Sequence, residues 1–222
     1  LWEANAVGDF GILEYSDDDG LTWTNMVPPD APNDTVGMSG GVGPNFIPDF
    51  PSSRGMVRIT PTDPAYSDMG DQSDGYFIVN GILVERPNTN DRYTIGGSGP
   101  ITFVAAGTHA DPTSADIYYA GDGVNFETNN PVKLSFIFNE AFPGRNTFNW
   151  DVKSTREPST EARVKVVAGD YEGISDSFSV RGFRFRSPLA GEVWQKGAHT
   201  IEWDVAGVAD DSEGVLYVSM DG

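Results

Sequence analysis

Residues 74–82 and 176–183 carry the same pattern about one hundred positions apart, a spacing that builds copies of one folding unit along the chain. Asp74-Gly75-Tyr76-Phe77-Ile78-Val79-Asn80-Gly81-Ile82 is echoed by Asp176-Ser177-Phe178-Ser179-Val180-Arg181-Gly182-Phe183, with Gly81 and Gly182 separated by 101 positions. In each copy an apolar, aromatic run enters a glycine and a new run leaves it. Beyond the glycine, Ile82 to Pro87 matches Phe183 to Pro188, Tyr93 matches Trp194, Gly96 matches Gly197, and Ile101-Thr102-Phe103 matches Ile201-Glu202-Trp203.

Later landmarks keep the same period. Ile12-Leu13-Glu14-Tyr15-Ser16 leads to Asp19-Gly20, Ile117-Tyr118-Tyr119-Ala120 to Asp122-Gly123, and Val215-Leu216-Tyr217-Val218-Ser219 to Asp221-Gly222. Asp-Gly between apolar runs predicts a β-hairpin, because both residues tolerate the positive φ of a tight turn. Trp2 is followed by Glu3-Ala4-Asn5-Ala6-Val7-Gly8 much as Trp203 is followed by Asp204-Val205-Ala206-Gly207, so the chain reads as entering one repeat in its second strand. Residues 1–81 are therefore read as an immunoglobulin-like repeat without its start, 82–181 as a complete one, and 182–222 as the start of a third. Strands of the complete repeat are expected near Ile82–Arg86, Gly99–Ala105, Ala115–Ala120, Val132–Phe138, Asn146–Val152, Arg163–Ala168 and Ser175–Val180. Seven short runs divided by Gly, Pro, Asn and Asp predict an all-β fold of tandem immunoglobulin-like antiparallel β-sandwich domains. The passages Val79-Asn80-Gly81-Ile82 and Val180-Arg181-Gly182-Phe183 leave almost no linker, so neighbouring domains are expected to abut.

Composition excludes several functions. Fourteen Lys and Arg against 33 Asp and Glu give a net charge of −19, which repels nucleic acid and anionic lipid. No apolar run reaches the length needed to cross a bilayer, and Leu1-Trp2-Glu3-Ala4 lacks the features of a signal peptide, so an export signal or anchor is expected outside this segment. With no cysteine, disulfides, thiolate catalysis and cysteine-rich zinc sites all drop out.

The motifs also resemble a known family. Ser187-Pro188-Leu189-Ala190-Gly191-Glu192-Val193-Trp194-Gln195-Lys196-Gly197, then Ile201-Glu202-Trp203, and the hairpin Ser16-Asp17-Asp18-Asp19-Gly20-Leu21-Thr22-Trp23 are similar to bacterial and archaeal surface modules related to the domain of yeast cell-wall synthesis and Ser/Thr-rich anchored proteins. The hairpin also looks like the Asp-box turn of extracellular β proteins. The middle copy departs from it, offering Ala120-Gly121-Asp122-Gly123-Val124-Asn125-Phe126. The resemblance implies a scaffold or adhesive role at the cell surface or outside the cell and carries no catalytic residue across.

Candidate sites are few. Carboxylate pairs among 33 acids are chance neighbours, and no catalytic residue is nominated. His109 and His199 sit in no metal-ligand spacing. Calcium is the one cofactor considered, with candidate ligands Asp63, Asp68, Asp71 and Asp74 in one loop region and Asp210, Asp211 and Glu213 in another; solvated turn acids are the plainer reading. Asn33-Asp34-Thr35 is a glycosylation sequon. Trp2, Phe103 and Trp203 share one repeat position on strands and are expected in the sandwich core, while Trp23, Trp150 and Trp194 could present a carbohydrate surface. The expected function is a structural repeat of an extracellular polymer, a filament, sheath, surface layer or adhesin stalk, whose partners are copies of itself or neighbouring repeats. The alternative is a carbohydrate-binding or adhesive module that takes a cell-surface polysaccharide and serves a secreted enzyme.

Overall fold

A computed structural model describes residues 10–26, 36–37, 50–106, 114–138, 144–208 and 213–219. Among these the only helix is a single 3₁₀ turn, Pro64–Tyr66; everything else regular is strand. Strands β1 (Phe10–Ser16), β2 (Thr24–Asn25), β3 (Val36–Gly37), β4 (Ser52–Pro61), β5 (Asp71–Gln72) and β6 (Phe77–Val79) form one antiparallel sheet around the β1–β4 pair. At the β1–β2 turn Asp19 and Gly20 both have positive φ (70° and 77°), as a tight Asp-Gly hairpin requires.

The following strands close a two-sheet sandwich. One sheet has the order β12 (Gly144–Asp151), β9 (Ser98–Ala106), β7 (Gly81–Arg86). The other runs β11 (Lys133–Ile137), β10 (Ser114–Ala120), β13 (Ser159–Ala168), β15 (Phe178–Ser187), β16 (Glu202–Ala206), with β14 (Tyr171–Ile174) also on β13 and β8 (Arg92–Thr94) parallel to β15. Of the seven strands expected from sequence, the first, second and fifth thus face the third, fourth, sixth and seventh, which is an immunoglobulin-like arrangement.

Alternation places the core. Ile101, Phe103 and Ala105 of β9 point inward, as do Ala115, Ile117 and Tyr119 of β10 and Ala162, Val164, Val166 and Ala168 of β13. Trp150 of β12, only 3% exposed, meets Tyr119 at 5.3 Å between ring centroids, Tyr93 at 6.1 Å and Phe178 at 6.3 Å. These rings tie the two sheets together in a chain that has no disulfide to do so.

Several strand bounds differ from the sequence expectation by a few residues, and the last strand differs most. The last strand does not run through Ser175–Val180. It breaks there because the Ser175 hydroxyl accepts from the Val164 N–H (3.0 Å) and donates to the Asp176 carbonyl (2.7 Å), and it resumes at Phe178. Strands β8 and β14 are additions, three and four residues long and too short to carry a period.

The tight turn at Asp122-Gly123 is followed by no immediate return strand. The chain runs back beside β10 with isolated bonds, Glu127 N–H to Tyr119 O (2.8 Å) and Val132 N–H to Ile117 O (2.9 Å), before β11 begins.

One hairpin geometry occurs twice. In β7–β9, Gly81 faces Ala106, Ile82 faces Ala105 and Val84 faces Phe103, with an irregularity before Arg86. In β15–β16, Gly182 faces Ala206, Phe183 faces Val205 and Phe185 faces Trp203, with the irregularity before Ser187. The surroundings differ. Phe103 is 0% exposed, whereas Trp203, expected to be its buried equivalent, is 48% exposed, because no second sheet among the described residues covers the β15–β16 face. Val215–Ser219, expected as a strand, forms none, and Trp2 and Asp221-Gly222 lie outside the described residues.

Truncating Phe103 to alanine opens a cavity in the closed core and is expected to cost about 3–5 kcal/mol. The Trp203→Ala change, on the open face, should cost about 1 kcal/mol or less. Urea unfolding followed by circular dichroism measures both, and an unchanged midpoint for Phe103→Ala would refute this core.

Candidate functional site

The described acids among those nominated as cation ligands have separate surroundings. Asp63 accepts the Ala65 N–H (2.9 Å) and so caps the 3₁₀ turn, Asp71 is in strand β5 opposite Ile59, and Asp68 and Asp74 are solvent-exposed. Among the described residues, no three His, Cys, Asp or Glu side chains are grouped to hold a metal ion. Asp210 and Asp211 lie outside the described residues, as do His109 and the sequon Asn33-Asp34-Thr35; Glu213 is exposed.

The Asp-rich hairpin is held by bonds within the turn and by bonds from β4, such as the Ser52 hydroxyl to the Asp17 carbonyl (3.0 Å). Asp18 accepts from the Thr22 N–H (2.7 Å), the Thr22 hydroxyl (2.7 Å) and the Ser16 hydroxyl (2.9 Å), and these bonds hold its carboxyl below the usual carboxylate range. Trp23 donates Nε1–H to the Gly20 carbonyl (3.0 Å) and lies under the Arg58 guanidinium, 4.3 Å from the ring centre. At the second Asp-Gly turn Asp122 plays a similar part. It accepts from the Asn125 N–H (2.7 Å), the Val124 N–H (2.9 Å) and the Asn125 side chain (2.6 Å), which pull its pKa down to about 2. Asp18 and Asp122 thus spend their oxygens on groups of their own turns, while Asp19 accepts from the Tyr76 hydroxyl and from Arg54 of β4 (3.5 Å), all structural uses.

The tryptophans divide by environment. Trp150 is core, Trp23 belongs to the hairpin, and Trp194 stacks on His199 at 4.6 Å on the surface. Trp203 lines an open cleft of about 1140 Å³ with Phe183, Phe185 and Val205 on the hairpin and Val215 and Leu216 across from them. Sequence reading placed Trp203 correctly on its strand; what it could not supply was whether a second sheet would cover it.

No family model matches the chain, and no curated protein matches it. Among solved structures, the ectodomain of the teleost fish polymeric Ig receptor aligns over 78% of this chain and 84% of its own length at 10% identity, with a TM-score of 0.31. A likeness that distant assigns neither family nor function, and the immunoglobulin-like fold rests on the strand order described above. No helix among the described residues is long and apolar enough to cross a membrane.

Two buried phenols make the sandwich sensitive to alkali. Desolvation pushes Tyr93 and Tyr119 each up to about 12, so both stay protonated in the fold at a pH where the unfolded chain, with phenols near 10, ionises. Their stabilising effect is complete below pH ~10 and disappears as pH rises toward ~12. The Tyr119 hydroxyl has no hydrogen-bond partner among the described residues, so Tyr119→Phe should leave neutral stability nearly unchanged and flatten the loss above pH ~10. Urea midpoints from pH 8 to 12 test this, and an equally steep loss in Tyr119→Phe would contradict it.

Proposed function

We propose that this chain is a structural part of an extracellular or cell-surface polymer, built from tandem immunoglobulin-like sandwiches near 1–81, 82–181 and 182–222. It works through contacts with neighbouring repeats or copies of itself and has no catalytic role. The observation that carries the reading is the hairpin built twice in the same register, covered by a second sheet in one place and open in the other. An open face bearing Phe183, Phe185, Trp203 and Val205 is costly to leave in water, and β16 pairs on one side only among the described strands, so further sheet can add to it. The motif likeness to cell-wall surface modules supports the same location. The charge of −19 guards such an edge against indiscriminate pairing and makes association strengthen as salt screens it.

A second reading has one observation in its favour. Phe183, Phe185 and Trp203 line a single cleft with Glu161 and Glu213 nearby, and aromatic faces beside carboxylates suit a polysaccharide. The repeat argues for the first reading, since the positions equivalent to Phe183, Phe185 and Trp203 are the buried Ile82, Val84 and Phe103. A cation role for Asp63, Asp68, Asp71, Asp74, Asp210, Asp211 and Glu213 rests on the sequence alone. Melting in calcium and in chelator at matched ionic strength tests it, and equal midpoints would leave these acids as solvated surface.

Sedimentation velocity across salt and calcium separates the two functional readings. The polymer reading expects association that grows with salt and is lost in Trp203→Glu. A monomer under every condition, combined with saturable polysaccharide binding that Trp203→Glu abolishes, would transfer the function to the second reading.

A further inference from the structure

Strand β15 belongs to two bodies at once. Its first residues pair with β13 and β8 inside the sandwich, with Val180 opposite Ser159 and Tyr93, and from Gly182 onward it pairs with β16 outside it. No loop intervenes in the ten residues Phe178–Ser187. A two-stranded ribbon leaving a sandwich is free to twist and bend about its root unless side chains brace it.

The bracing is visible on one face of the ribbon. Alternation sends Phe183 and Phe185 to the open apolar side and Arg184 and Arg186 to the other. There, both arginines reach Glu157, which lies in the loop joining β12 to β13 of the sandwich. Arg184 pairs with one oxygen of Glu157 and donates to the Thr155 carbonyl of the same loop (2.8 Å). Arg186 spans both oxygens, at 3.2 and 2.5 Å, and also pairs with Asp204 on β16. Close packing sits beneath. Gly182, with φ +148°, lies against the Ile95 side chain, and a Cβ on Gly207 would come within 2.2 Å of the Arg181 side chain. Ile95 N–H donates to Arg181 O (2.9 Å).

The preceding junction is built differently. There β6 ends at Val79 and β7 begins at Gly81 as separate strands, and among the described residues no ion pair joins residues 10–79 to the sandwich. The positions 101 residues before Arg184 and Arg186 are Leu83 and Glu85, and Glu85 pairs with Arg145 of its own sheet. The bracing is thus a property of this junction and not of the repeat.

We propose that Glu157, Arg184, Arg186 and Asp204 form an ionic clamp that fixes the angle between the sandwich and the β15–β16 ribbon, and that salt loosens it. The clamp needs no partner and holds whether or not the chain polymerises. All four side chains are partly exposed, so each pair is individually weak, but they share one geometry and act on one degree of freedom. Raising ionic strength from ~0.1 to ~1 M shortens the screening length from about 10 Å to about 3 Å and removes most of that hold.

Because the chain has no cysteine, Asp170→Cys in the β13–β14 turn and Glu202→Cys on β16 give two unique spin-label sites on the otherwise unaltered protein. Pulsed electron–electron resonance then reads the distance distribution across the junction. The clamp predicts one narrow peak at low salt that broadens about twofold in ~1 M salt, with the same broadening at low salt in Glu157→Gln and none in Glu161→Gln. A width independent of salt in the labelled chain, or a peak equally narrow in Glu157→Gln, would overturn it. The salt series does not depend on the variant's folding.

Discussion

The packing of Trp150 against Tyr119, Tyr93 and Phe178 is the contact on which the remaining architecture depends. The four rings come from β12 on one sheet and from β10, β8 and β15 on the other, so they set the distance and register between sheets that no disulfide fixes. Neighbouring choices follow. Position 99 is glycine because a Cβ there would meet the Tyr93 ring at 2.5 Å, and position 173 because a Cβ would meet the Ile82 carbonyl at 2.4 Å. Arg156, itself buried, lies over the Tyr119 ring at 4.7 Å and pairs with Glu127, which draws the long 121–132 connection down onto the end of the core.

The β15–β16 ribbon is a natural control for what local sequence achieves without such a core. Its glycine, its irregularity before Ser187 and its cross-strand partners repeat those of β7–β9, so local sequence and backbone pairing suffice to set hairpin register. They do not suffice to bury anything: Phe183, the counterpart of buried Ile82, remains 58% exposed. Function, on the reading offered above, resides in that difference. A folded unit with a closed core stands beside an exposed apolar edge of the same design, held at a set angle.

Alternation made the strands legible, since Ile101/Phe103/Ala105 or Ala162/Val164/Val166/Ala168 can face a core in only one way. The 101-residue spacing made the repeated hairpin legible as well. Three-dimensional competition hid the rest. Nothing local marks Ser175 as the place where its hydroxyl replaces a ladder partner, and three residues of β8 are too few to carry a period. The pairing of Glu157 with Arg184 and Arg186 joins positions 27 and 29 residues apart that no motif connects. Composition nominated seven acids for a cation, and of the described ones Asp63 serves as a cap and Asp71 lies in a strand, duties that composition does not reveal.

Hydrogen–deuterium exchange followed by mass spectrometry tests most directly the claim that one hairpin design occurs here in a closed and an open form. Peptides spanning β9, paired on both sides and locked under the closed core, should exchange only through global unfolding, while peptides spanning β16 should exchange far faster through local opening of its single ladder. Equal protection of β9 and β16 in the isolated chain would contradict the account.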